Sequence, residues 1–276
     1  MADTSGVLSE MLTCLAEGAG IIHYHHDARL GSAESIDTMI GLCRDVRSVH
    51  PDSILYPGIL SGKSPSEHMA HLVPLADAGV LGLAPLDPGA AVPYDLDDNG
   101  LPVGHGYVWS PFKTANRCAA DMLARSVPIT VGVYEPVQLR WALAYESAGK
   151  LAPGSMLKLY FGGDRSLFNI GKPAINFGLP PTPQALDMYL SMMEGSKLHW
   201  NVGVMGGDLL ALPLARYALE RGGHLRVGIE DLAEVGGVTN AETVRAAVAL
   251  AAVVGRSVAT GAAAAAVLSG RDGHNS

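Results

Sequence analysis

What most restricts the fold of this chain is a recurring alternation. A short run rich in Ile, Val, Leu or Tyr is followed by a longer stretch in which apolar residues return every three or four positions. The first pattern suits a buried strand and the second an amphipathic helix. Strands are expected at Gly20–His25, Ser53–Ile59, Val80–Pro85, Ile129–Glu135, Met156–Gly162, His199–Met205 and His224–Glu230. Helices are expected at Met11–Gly18, Ser35–His50, Ser64–Ala78, Thr114–Ser126, Pro136–Ser147, Thr182–Met193, Leu210–Arg221 and Asn240–Val254, with an Ala-rich closing helix at Gly261–Val267. Strand followed by helix, repeated this often, calls for a parallel sheet with crossover helices.

The number of units then chooses the architecture. Seven strand–helix units approach the eight of a TIM (β/α)8 barrel, and no GxGxxG follows a strand to favour a dinucleotide-binding open sheet. The expectation is an α/β chain forming one TIM-barrel domain over residues 1–276, its N-terminal strand missing or replaced, with irregular tails at 1–10 and 270–276. Seven strands leave an edge of unpaired backbone groups. That gap is expected to be filled by the first residues, by a partner chain, or by residues upstream of Met1.

Composition narrows the function class. Hydrophobic residues at 48% and charged residues at 17% exclude disorder through weak hydrophobicity. A formal charge of −8 without any Lys/Arg run argues against nucleic acid and against a polybasic membrane anchor. Cys14, Cys43 and Cys118 are too far apart for a thiolate zinc motif or a disulfide framework. The longest strongly apolar run, Ala246–Gly255, is too short to span a bilayer, and no signal peptide pattern opens the chain. A soluble, cytoplasmic protein is expected.

The first strand ends in His23-Tyr24-His25, and alternation puts both imidazoles on one face about 6.5–7 Å apart along the backbone. That spacing suits two ligands of one metal ion at the C-terminal end of a barrel strand, where such folds carry their sites. Two polar residues bonded to neighbours is the bland alternative. In the last expected strand Arg226, Gly228 and Glu230 share a face. Charged side chains inside a barrel need satisfaction. Either they pair and fill the lumen, or Glu230 is a third metal ligand and Arg226 holds an anionic substrate. Arg226 would then stand roughly 16 Å below Asp231 on an extended strand. Two His and one carboxylate point first to Zn2+. Glu135 is either catalytic or a first-turn acid of the helix at Pro136, and Lys158 and Tyr160 either line the lumen or turn outward.

These segments resemble a known family. Ala19-Gly20-Ile21-Ile22-His23-Tyr24-His25, Gly222-Gly223-His224-Leu225-Arg226-Val227-Gly228-Ile229-Glu230-Asp231, and Asn240-Ala241-Glu242-Thr243-Val244 with Gly255-Arg256-Ser257-Val258-Ala259-Thr260 are similar to motifs of the β-keto acid cleavage enzymes, relatives of 3-keto-5-aminohexanoate cleavage enzyme. The resemblance implies a zinc-dependent TIM barrel, assembled as a homo-oligomer (tetramer or dimer), that condenses a β-keto acid with acetyl-CoA to give acetoacetate and a new CoA thioester. It implies His23, His25 and Glu230 as metal ligands, Asp231 as general base, Arg226 as its support, and Glu135 as a more loosely matched catalytic carboxylate.

Departures are equally specific. The family's first strand with its acidic residue has no counterpart, and the Arg usually found shortly after HxH is missing or displaced to Arg29. The family's Thr/Ser-Gly-Gly is replaced by Tyr56-Pro57-Gly58-Ile59-Leu60-Ser61-Gly62. The metal and proton-transfer end looks retained and substrate recognition altered. The rival expectations are a zinc hydrolase or lyase that does not use acetyl-CoA, and a degenerate zinc-binding barrel that acts in assembly.

Overall fold

The computed structural model describes residues 4–25, 27, 30, 32–60, 64–103, 107–166, 172–232 and 237–270. Arg29 and the tail 271–276 lie outside the described residues. Seven parallel strands are present where the periodicity places them: β1 (Ile21–Tyr24), β2 (Ile54–Pro57), β3 (Ala84–Leu86), β4 (Ile129–Val133), β5 (Met156–Gly162), β6 (His199–Met205) and β7 (His224–Leu225). One ladder joins β1 to β2, and a second runs β3–β4–β5–β6–β7. The amide of Gly82 donates to Leu55 O at 2.9 Å and carries the connection from β2 towards β3. A Cβ on Gly82 would stand 2.8 Å from Leu55 N. This close crossing is why β3 begins at Ala84 and not at Val80.

Strands β4 and β5 are buried on both faces and are mostly apolar, with Thr130 and Lys158 as their buried polar residues. Around them stand α1 (Thr4–Ala16), α2 (Ser32–Val49), α3 (Leu72–Asp77), α4 (Phe112–Ala124), α5 (Pro136–Ser147), α6 (Pro183–Met192), α7 (Pro213–Glu220), α8 (Asn240–Val253) and α9 (Gly261–Leu268). Their starts are written in the sequence. Thr182 and Thr239 cap α6 and α8 by accepting from backbone N–H groups, and Glu242 closes a capping box on Thr239. Residues 65–78 make a four-residue turn of helix and then α3, not one long helix. No described helix is long and apolar enough to cross a membrane.

Three expectations are corrected. Residues 4–10 are not an irregular tail: α1 begins at Thr4, and its Met11, Cys14 and Leu15 form a buried face where the helix packs on α2 and α8. The first described residues are therefore helical. The last strand stops at Leu225, not Glu230. Arg226 N donates to Val202 O at 2.8 Å, and from there the chain leaves the ladder. Finally, the connection from β3 to α4 holds antiparallel pieces that periodicity missed: 89–91 pairs with 107–110, and 94–96 with 102–103 and 174–175. The Asp97 carboxylate accepts from the amides of Asn99 and Leu101 at 2.8 and 2.9 Å and ties the tight turn between two of these strands.

Among the described residues no ladder joins β7 to β1. The helix layer is nevertheless continuous there, since α1 packs on both α2 and α8 and α8 packs on α7. The break in the ladder among the described residues thus lies behind packed helices.

Candidate metal centre

Strand β1 lifts His23 and His25 to its C-terminal end, and the turn after β7 brings Glu230 to meet them. His23 Nε2 and His25 Nε2 are 3.1 Å apart. Glu230 Oε1 is 3.0 Å from His25 Nε2, and Glu230 Oε2 is 3.5 Å from His23 Nε2. The three groups form a cluster able to hold a metal ion. His23 is nearly covered, while His25 and Glu230 keep 53% and 40% of their side chains exposed, so the cluster has an open side.

The turn that carries Glu230 is fixed at several points. Ile229 N donates to Asn240 Oδ1 at 2.9 Å, and Asn240 Nδ2 donates to Glu10 Oε1 at 2.8 Å, tying the turn to α8 and α1. Gly206 N donates to Asp231 O at 2.7 Å. Because the chain turns after Leu225, Arg226 does not stand far below Asp231. Its Nε donates to Asp231 Oδ2 at 3.0 Å, its second amino group reaches Glu230 Oε2 at 2.6 Å, and its first reaches Tyr56 Oη at 3.1 Å. One guanidinium therefore fixes two adjacent carboxylates and a phenol.

These contacts set the charges. Burial alone would raise Glu230, but Arg226 and then the two histidines outweigh it and hold the carboxyl well below its ordinary value. Burial lifts Asp231 to about 6, against the pull of Arg226. Burial, then the Arg226 cation, pushes His23 well down, so its imidazole is neutral and its lone pair is available. A buried acid near neutrality beside an ionised one is the arrangement expected of a proton-transfer site.

Sequence reasoning missed Tyr56 and Asp87. Tyr56 is the register partner of His23 and stacks on it with ring centroids 4.6 Å apart. Lys158 and Tyr160 turn inward: Lys158 Nζ lies 3.6 Å from Asp87 Oδ1 and 5.6 Å above the rings of Tyr56 and Tyr160. Asp87 Oδ2 accepts from Tyr134 Oη at 3.2 Å. The only available signal was register, since Tyr56 lies opposite a histidine already singled out. Glu135 stands apart from the cluster. It is the N-cap residue of α5, its Oε1 accepts from Gly178 N at 3.0 Å, and burial raises its carboxyl despite that bond.

A family model described as beta-keto acid cleavage enzyme matches residues 4–269. Solved structures of similar fold include apo ObcA, with a TM-score of 0.72 and 17% identity over 97% of this chain and 64% of that one. ObcA bound to oxaloacetate gives 0.68 and 16% over 97% and 66%. A Yersinia pestis dihydropteroate synthase with a pterine-sulfa conjugate gives 0.50 and 15% over 92% and 89%. The chain spans about two thirds of the ObcA chains it matches. No curated protein matches it by sequence. The likeness to these structures establishes the fold as that of a TIM barrel.

Proposed function

The chain belongs to the β-keto acid cleavage enzyme family, and from that premise we propose that it is a zinc-dependent enzyme that exchanges acyl groups between a β-keto acid and acetyl-CoA. The observation that carries the reading is the convergence of His23, His25 and Glu230 beside the buried Arg226–Asp231 pair. Four ligands placed tetrahedrally at 2.0–2.1 Å from zinc stand about 3.3 Å from one another. The two imidazole Nε2 atoms are 3.1 Å apart, and the two oxygens of Glu230 lie 3.0 Å from His25 and 3.5 Å from His23, each close to that figure. Two imidazoles and one carboxylate with an open side are the donor set of a catalytic zinc site. Zinc there would polarise the substrate's keto oxygen.

The chain's own residues supply the rest. Asp231 takes a proton from the carbon between the two carbonyls of the keto acid and later returns it. Arg226 orients Asp231 through Nε and stays charged, because Asp231 and Glu230 outweigh the burial that would lower it. The balanced exchange is R–CO–CH2–COO− plus CH3–CO–SCoA giving R–CO–SCoA plus CH3–CO–CH2–COO−. One carbon–carbon bond forms and one breaks, and the thiolate released by the first step ends on the R–CO group. ObcA was solved with oxaloacetate, itself a β-keto acid, which supports a small keto acid as the partner.

The test is to incubate zinc-loaded protein with a panel of β-keto acids, with and without acetyl-CoA, and follow products by mass spectrometry. Acetoacetate and a new CoA thioester should appear in equal amounts, and only with acetyl-CoA. Cleavage without acetyl-CoA would replace the exchange by a hydrolase or lyase reaction. Inertness towards every acid, with zinc bound, would sink the enzymatic reading.

A further inference from the structure

A buried phenol beside the metal cluster carries a proton that no described residue accepts. Tyr56 is 5% exposed and lines the same cavity as His23, His25, Glu230, Arg226 and Asp231. Its Oη accepts from Arg226 Nη1 at 3.1 Å. That bond occupies a lone pair of the oxygen and leaves the O–H to donate elsewhere. Among the described residues the bond to Arg226 is the one hydrogen bond of this hydroxyl. A buried donor left without an acceptor is costly. On the wall of a binding cavity, an oxygen of the ligand can take that place.

The hydroxyl is also held in position. Tyr56 is the register partner of His23, and the two rings stack with centroids 4.6 Å apart. Lys158 Nζ stands 5.6 Å from the centroid of the Tyr56 ring. A donor fixed in this way needs little reorganisation when charge arrives. Arg226 strengthens it further, because a hydroxyl that accepts from a cation donates more strongly.

The neighbouring groups are already committed. Sequence alone leaves Arg226 to hold an anionic substrate. In the structure its Nε and Nη2 bind Asp231 and its Nη2 binds Glu230, so two carboxylates meet its charge. Lys158 pairs with Asp87 at 3.6 Å, and neither residue lines the cavity. Tyr134 gives its proton to Asp87, and Tyr160 stays off the cavity wall.

We infer that Tyr56 recognises the acid: its phenol donates to a carboxylate oxygen of the β-keto acid whose keto group lies at the metal cluster. Arg226 then supports that carboxylate through Tyr56 and not by direct contact. This inference rests on the keto-acid reading above and names the residue by which that site selects an acid over a neutral ketone.

The test uses two probes that are not cleaved. Malonate is a 1,3-dicarboxylate with the span of a β-keto acid, and acetohydroxamate is a zinc chelator without a carboxylate. Calorimetry measures the binding of each to the zinc-loaded intact chain and to zinc-loaded Tyr56→Phe, which keeps the ring that stacks on His23. Malonate should bind about ten- to a hundredfold more weakly to the variant, the scale of a hydrogen bond to a charged group, and acetohydroxamate within about twofold. Zinc content should not change. Equal losses for both probes, or loss of zinc, would make Tyr56 a support for His23 alone and overturn the proposal. So would unchanged malonate affinity in the variant, or no malonate binding to the intact chain. Turnover of the intact chain separates this inference from the reading beneath it. If β-keto acids are cleaved and Tyr56→Phe binds malonate normally, Tyr56 loses its role and the keto-acid reading stands. If malonate alone is weakened and no β-keto acid is cleaved, Tyr56 keeps its carboxylate and that reading fails.

Discussion

Across β4, β5 and β6 the ladder is unbroken, with each strand's register fixed over several residues, and the side chains behind it are almost wholly apolar. Among the described residues no ladder joins β7 to β1, and His23, His25, Arg226 and Glu230 meet at that seam. The wall is held by burial, so the residues it turns towards the helices, such as Ile129, Val131, Leu157, Leu159, Val202 and Val204, are all apolar. The seam is held by a guanidinium, its carboxylates and the ties to α1 and α8, so its sequence reads as charged residues where a strand would prefer none. Stability and chemistry are thus separated within one ring of strands, and that separation can be attacked from either side.

The largest effect is expected at the seam. Asp231→Asn should keep zinc bound and lower turnover by about 10²–10⁴, the scale of general-base loss, checked by steady-state kinetics alongside metal analysis. Turnover close to that of the unaltered protein would remove Asp231 from the proton-transfer role. On the wall, Leu157 is fully buried on β5. Leu157→Ala should cost about 2–5 kcal/mol of unfolding free energy and leave zinc affinity unchanged, by denaturant titration and calorimetry. A loss of zinc affinity in that variant would mean that wall and seam are not separate.

Acid should weaken the seam through a residue outside the cluster. His224 on β7 is pushed down to about 4, by burial first and then by Arg256 and His199. Its folded value lies below the unfolded one, so the unfolded chain takes up the proton first. The stabilising contribution is full above about pH 6.5 and is lost as pH falls towards 4. The stability gap between this protein and His224→Gln should therefore narrow by up to about 3 kcal/mol between pH 7 and pH 4. A gap that does not change with pH would place His224 in a solvated setting. The smallest effect is expected at Glu135, whose described contacts are those of a helix start. Glu135→Ala should cost about 1 kcal/mol and alter turnover less than about threefold. A hundredfold loss would return Glu135 to the catalytic set.

Much of this was legible in the sequence, for reasons that differ along the chain. The strands β4, β5 and β6 announce themselves because alternate positions that pack under the helices are apolar throughout, and the helix starts at Thr182 and Thr239 because capping uses few residue types. HxH and the carboxylates at 230 and 231 stood out because polar groups at strand ends need partners. The path after Leu225 was not legible: alternation continues formally to Glu230, and the bonds that fix the turn, from Ile229 to Asn240 and from Gly206 to Asp231, join residues far apart in sequence. The length of α1 was hidden because its early turns, Thr4 to Glu10, are mostly small or polar and bury little. Tyr56 could not be placed without register. The antiparallel pieces near 89–110 are too short and too mixed for periodicity to detect.

The central claim is that the seam is a zinc centre built from His23, His25 and Glu230, and native mass spectrometry of the zinc-loaded protein tests it most directly. One zinc per chain is predicted for the unaltered protein, with most of it lost in His23→Ala while the circular dichroism of the folded barrel persists. Full zinc retention in folded His23→Ala would contradict the account.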